Sequence, residues 1–186
     1  MIFGRQPIEE LEPVILGQTK KRKNIVHGAR AINRQLPAPF QRQTRDYDLW
    51  SKNSKRDAFE LQALLDKKTG GDNFYDASIP LAGSGETVYR IVSRLDGKEV
   101  ADFMKMPGKT KGLYKVIGGV RYETLEHAKQ QYRNILNNPQ LRHRHSKSAR
   151  DLDRILAFER SLKKGEPVQN VQYPFMMFQV KPQWRF

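Results

Sequence analysis

Two aspartates stand one residue apart, Asp46 and Asp48, in a stretch where they alternate with Tyr47 and Leu49. Successive side chains of an extended strand point to opposite faces, so Asp46 and Asp48 share one face. Two carboxylates placed in this way can share a divalent metal ion. A third acid, Asp102, lies with Val100 and Met104 on one face of a later strand that otherwise reads as core. An unpaired buried charge is costly, so Asp102 needs a metal, a basic partner or solvent. Two schemes are open: the three acids bind metal, or Arg42, Arg45 or Lys105 neutralises them in an ion-pair cluster.

Other constellations offer less chemistry. His143 and His145 have metal-ligand types, but among Arg142, Arg144 and Lys147 they read as part of a basic surface. His27, beside Gly28, either touches a ligand or packs with Ile25. Gly83-Ser84-Gly85 is no phosphate loop, because no Gly-Lys-Ser/Thr follows it. No Ser/His/Asp arrangement emerges from the spacing.

The elements that must position these acids can be read in order. Ile25 and Val26 form a short strand, Gly28 turns the chain, and a helix over 29–36 stops at Pro37 and Pro39, which lack an amide donor. Residues 44–51 form the Asp46/Asp48 strand. Ser54 caps a helix carrying Ala58, Leu61, Leu64 and Leu65 at helical spacing up to Gly70-Gly71. Residues 72–85 are rich in turn formers. A strand over 87–95, a two-residue hairpin turn at Asp96-Gly97 and a returning strand over 98–106 bring in Asp102. Strands over 113–117 and 120–122 flank Gly118-Gly119. Thr124 caps a helix to about residue 137, and a last helix runs from about 146 to 163.

The net charge of +14 and a pI near 10.1 favour a polyanionic partner, nucleic acid or an acidic protein surface. No Cys is present, which excludes disulfides and thiolate metal sites and favours an intracellular setting. No apolar run approaches the roughly 20 residues of a bilayer span, and the first residues lack a signal-peptide pattern. Residues 1–23, with Pro7, Pro13, Gly17 and a closing Lys20-Lys21-Arg22-Lys23 cluster, read as an extended basic arm. Residues 164–186 read as a second arm, rich in Tyr173, Phe175, Phe178, Trp184 and Phe186. Such an apolar stretch is either a partner-binding surface or a strand folded back on its own domain.

The Gly28 turn, the Asp46-x-Asp48 strand and Asp102 together resemble the nucleotidyltransferase superfamily of DNA polymerase beta, in its abortive-infection and antitoxin-type branch. Residues 117–126 followed by Lys129 are similar to that branch's approach to a lysine-bearing helix. Residues 144–153, with Lys147, Arg150, Asp151 and Asp153, are similar to its closing basic-acidic helix. The sequence departs from the family at the turn, where Gly28-Ala29-Arg30 replaces the usual Gly-Gly or Gly-Ser.

The resemblance implies an α+β fold, a small mixed β-sheet flanked by helices over residues 24–163, with the two arms outside it. It implies Mg²⁺ on Asp46, Asp48 and Asp102, and nucleotide contacts from Gly28, Ala29, Arg45 and Lys129, with Arg121 as a further balancing cation. A basic core with two arms also resembles minor capsid proteins on the inner face of large double-stranded DNA virus shells. The leading expectation is therefore an assembly protein of a virion, needing no cofactor and tying neighbouring capsid subunits through its arms. The alternative is an active Mg²⁺-dependent nucleotidyltransferase acting on RNA, a protein or a small molecule. A nucleic-acid-binding module ranks last, since no aromatic stacking strand appears.

Overall fold

The computed structural model describes residues 8–81 and 85–165. In chain order these form α1 (Ile8–Arg22), β1 (Ile25–His27), α2 (Gly28–Asn33), a 3-10 turn (Ala38–Phe40), β2 (Tyr47–Ser51), α3 (Ser54–Thr69), β3 (Phe74–Pro80), β4 (Thr87–Ser93), β5 (Glu99–Lys105), β6 (Tyr114–Ile117), β7 (Val120–Glu123), α4 (Leu125–Leu136), a second 3-10 turn (Pro139–Leu141) and α5 (Arg142–Lys164). The strands make one sheet in the order β3-β4-β5-β2-β1-β7-β6. Pairs β2–β5 and β1–β7 are parallel and the others antiparallel. The mixed sheet with flanking helices is the α+β arrangement expected, and it has seven strands.

One face of the sheet carries Val26, Tyr47, Leu49, Ala101, Phe103 and Tyr122, which pack with Leu11 and Ile15 of α1 and Ala58, Leu61 and Leu65 of α3. Within the stretch 1–23 read as an extended arm, residues 8–22 are instead helix α1, and residues 1–7 lie outside the described residues. Pro13 inside a helix costs about 3 kcal/mol. Leu11 and Ile15, four residues apart, are 3% and 0% exposed, and burying two such side chains contributes about 3–6 kcal/mol. Burial outweighs the proline. Gln18 also donates to the Asp57 carbonyl at 3.0 Å, and Arg22 pairs with Glu60, so the helix is tied to α3. The folded core thus begins upstream of residue 24.

Strand β3 lies within the stretch read as turns. Its residues alternate against β4 at the sheet edge, where Pro80 removes a donor that faces no neighbour. Helix α3 is capped by Asn53, which accepts from the Arg56 amide at 3.2 Å, one residue ahead of the Ser54 cap expected. Thr124 caps α4 as expected, accepting from the His127 amide at 3.3 Å. Helix α5 starts four residues earlier than the spacing predicted and so takes in Arg142, His143, Arg144 and His145.

On the other side, α4 and α5 pack on each other and on α2 and the first 3-10 turn through Ile32, Leu36, Phe40, Ala128 and Ile155. A buried polar clamp fastens the loop before β2 to α5. Asp151, 1% exposed, accepts from Arg42 Nε at 2.8 Å and Arg154 Nη1 at 2.7 Å, while Arg154 Nε donates to the Phe40 carbonyl at 2.7 Å. Burial acts to raise the Asp151 carboxyl, but the bonds from Arg42 and Arg154 outweigh it and hold it below the usual carboxylate range. The C-terminal arm, with Tyr173, Phe175, Phe178, Trp184 and Phe186, lies outside the described residues.

Candidate active site

Strand register builds the site. His27 pairs with Asp48, Asp48 with Asp102, and Asp102 with Arg90, so β1, β2, β5 and β4 bring these four residues into one row. Residues opposite each other on paired strands project from the same face. Asp46, just ahead of β2, is two residues from Asp48 and accepts from Thr44 Oγ1 at 3.0 Å. The structure therefore brings Asp48 and Asp102 side by side, with Asp46 adjacent.

Gly28 is required where it stands. Its φ of +65° is in the left-handed region, and a Cβ there would fall 2.6 Å from Asp48 Oδ2. Its amide donates to Glu123 Oε2 at 3.1 Å, and Glu123 Oε1 lies 2.6 Å from His127 Nδ1. This corrects the expectation that the Gly28 donor faces substrate phosphates: a buried carboxylate from β7 occupies it. Ala29 is also turned into the core, 5% exposed.

The electrostatics follow from the crowding. Burial pushes the half-buried Asp48 carboxyl up to about 7; Asp46 and Asp102 push the same way, and Lys147 and Arg144 oppose them. Burial pushes the His27 imidazole down to about 4, so it is neutral at pH 7. His27 stacks on Trp50 with ring centroids 4.1 Å apart and planes 9° from parallel, and His127 meets the Trp50 edge-on at 5.6 Å. Buried His27 Nε2 has no hydrogen-bond partner among the described residues.

The third acid is already engaged. Asp102, 8% exposed, accepts from Arg90 Nε at 2.8 Å and Arg90 Nη2 at 2.7 Å, and Glu99 pairs with the same guanidinium. Among the described residues no group of three or more His, Cys, Asp or Glu stands close enough to hold a metal ion. Of the three carboxylates expected to bind metal, Asp102 is paired with Arg90, and Asp46 and Asp48 are the remaining candidate pair. That pair fits Mg²⁺ in its hard oxygen donors and in a mutual repulsion that a cation would relieve, with Asp48 Oδ2 packed close against Gly28. Mg²⁺ is commonly held by one or two carboxylates together with water and substrate phosphates.

The other residues singled out are placed differently. Lys129 bridges α4 to α5, its Nζ 2.7 Å from Glu126 and 2.6 Å from Glu159, a structural ion pair. Arg45 is exposed, and its carbonyl accepts from Arg30 Nη2 at 3.3 Å. Arg121 lies over the Tyr114 ring and donates to the Lys23 carbonyl.

Sequence reasoning assigned no place here to Arg90, Glu123, His127 or Arg144. Lys147 is legible in the sequence only as part of the closing helix. Arg144 is four residues ahead of Ser148, and Lys147 four ahead of Asp151, so both continue the inward stripe of α5 beyond its buried part. Both are exposed there and act on Asp48.

No family model matches the chain, and no curated protein matches it. Among solved structures it is similar to the polyadenylate synthase of Megavirus, with TM-score 0.64 and 19% identity over 82% of this chain and 31% of that one. It also matches JHP933 from Helicobacter pylori (TM-score 0.48, 14% identity, 77% and 62% covered) and a candidate nucleotidyltransferase from H. pylori (0.47, 13%, 84% and 77%). The likeness to the Megavirus enzyme carries the fold: the architecture is nucleotidyltransferase-like. This chain spans 31% of that enzyme's length. Among the described residues no helix is long and apolar enough to cross a membrane.

Proposed function

We propose that the chain is a Mg²⁺-dependent nucleotidyltransferase that transfers a nucleotide to the end of a polynucleotide. The observation that carries this reading is the site row itself: Asp48 beside Gly28 and Asp102, with Asp46 adjacent and Arg144 and Lys147 bearing on Asp48. Bound on Asp46 and Asp48, Mg²⁺ would neutralise triphosphate charge and orient the attacking oxygen. Arg144 and Lys147 hold the substrate phosphates in place of the Gly28 amide, which Glu123 occupies. The acceptor hydroxyl forms a bond to the α-phosphorus as the bond to the β-phosphate oxygen breaks; its proton passes to water and pyrophosphate leaves. His27, neutral and stacked on Trp50, stands opposite Asp48 in the ladder and adds no charge beside it. A polynucleotide acceptor is supported by the +14 charge, which draws polyanions irrespective of sequence, and by the fold likeness to a polyadenylate synthase of Megavirus.

The finer placement in an abortive-infection and antitoxin-type branch rests on the motif alone. The capsid reading, with subunit ties on the inner face of a virion, rests on the overall charge and the composition of residues 1–23 and 164–186; the first is helix α1 over residues 8–22, and the C-terminal aromatic residues lie outside the described part. The nucleotidyltransferase reading is preferred. It is tested by isothermal titration of the full chain with ATP, GTP, CTP and UTP in Mg²⁺ and by extension of a labelled RNA oligonucleotide. Binding and extension that Asp46→Ala/Asp48→Ala abolishes are expected; an intact chain that binds no nucleotide refutes the proposal.

A further inference from the structure

We propose that Arg90 is a built-in cation that withdraws Asp102 from the metal-binding set, so that the site takes one divalent ion, on Asp46 and Asp48, where three free carboxylates would take two. This inference rests on the metal-dependent reading above and specifies its stoichiometry.

The geometry carries it. Arg90 meets Asp102 through two parallel bonds, 2.8 Å from Nε to Oδ1 and 2.7 Å from Nη2 to Oδ2, so both carboxylate oxygens face the guanidinium. The fork is a planar match that a point charge does not reproduce. It is also locked by the backbone, since Arg90 and Asp102 are direct partners in the β4–β5 ladder, next to the register shift at Ile91/Val92. Glu99, at the start of β5, holds the same guanidinium, which fixes the arginine as well as the acid. An arginine keeps its charge at every pH a protein tolerates, so acidification does not open the pair by neutralising Arg90. The consequence is a site with the same total charge as one holding a permanent extra cation. Two-metal sites place their ions about 3.5–4 Å apart with carboxylates between them. Here the carboxylate that would complete such a bridge is turned along its own strand row toward β4. Arg90 is accordingly a positioning residue, acting on the metal through Asp102.

The experiment counts ions on the full chain, with Mn²⁺ as probe and free Mn²⁺ followed by electron paramagnetic resonance, for the wild type, Arg90→Gln and Arg90→Lys. One Mn²⁺ on the wild type and two on Arg90→Gln are expected, with two on Arg90→Lys as well, because the lysine keeps the charge but not the two-bond fork. Two ions on the wild type overturn the inference and leave the metal site standing, and this outcome needs no variant to fold. A single ion on a folded Arg90→Gln, verified by its circular dichroism, also overturns it. No Mn²⁺ on either wild type or Arg90→Gln overturns the metal reading itself, and this inference with it.

Discussion

Replacing Asp48 by its neutral isostere gives a sharp test, because stability and ligand binding should move in opposite directions. In the folded chain the Asp48 carboxyl is raised from 3.8 to about 7. At about 1.4 kcal/mol per tenfold change in proton affinity, that is at most about 4 kcal/mol. Asp48 is half-buried, so solvent screening reduces the figure to about 2–3 kcal/mol. The sign follows from linkage: the folded state holds the proton more tightly than the unfolded one. Stability is therefore full below pH 3.8 and is lost as pH rises through about 7. Asp48→Asn removes this loss. At pH 8 without divalent ions the variant should melt about 4–12 °C above the wild type, taking about 2–4 °C per kcal/mol for a chain of this size, and the gap should close towards pH 4. Adding Mg²⁺ at 100 times its Kd should stabilise the wild type by about 2.7 kcal/mol and leave Asp48→Asn unmoved. Calorimetry across pH 4 to 8, with and without Mg²⁺, reads both effects. A variant no more stable than wild type at pH 8, or a gap that does not change with pH, would refute the reasoning.

Two further substitutions probe the frame around the site. Gly28→Ala meets both a positive φ and a Cβ 2.6 Å from Asp48 Oδ2; it should cost about 2–4 kcal/mol in urea denaturation and abolish Mg²⁺-induced stabilisation. Asp151→Ala leaves buried Arg154 without its carboxylate and should cost about 3–5 kcal/mol, with a loss below 1 kcal/mol contradicting the clamp.

Much of this arrangement was legible from local pattern. Alternation around Asp46 and Asp48 gave the strand and its site face, and Thr124 and Gly70 marked helix ends correctly. What was hidden depends on distant partners. Helix α1 exists because Leu11 and Ile15 are buried against the sheet, an effect that Pro13 and Gly17 conceal locally. Glu123 reaches Gly28 across 95 residues, beyond any window of periodicity. The Arg90–Asp102 pair was concealed by register. A two-residue loop at Asp96-Gly97 pairs Leu95 with Lys98 and, counting back, Arg90 with Phe103, leaving Asp102 facing a different residue. The actual turn is longer, with the Gly97 amide donating to the Ser93 carbonyl, and the ladder shifts between Ile91 and Val92. That slip of one residue moves Arg90 opposite Asp102.

Trp50, stacked on His27 and met edge-on by His127, gives the site an optical label of its own. The chain has two tryptophans, Trp50 and Trp184, so Trp184→Phe leaves a single emitter seated beside the Asp48 row. Imidazole rings quench indole emission strongly when protonated and weakly when neutral. With the stacked His27 held neutral, the Trp50 signal follows how the rings slide against one another. Occupancy of the site becomes readable as light from the unlabelled protein, at concentrations well below those calorimetry requires.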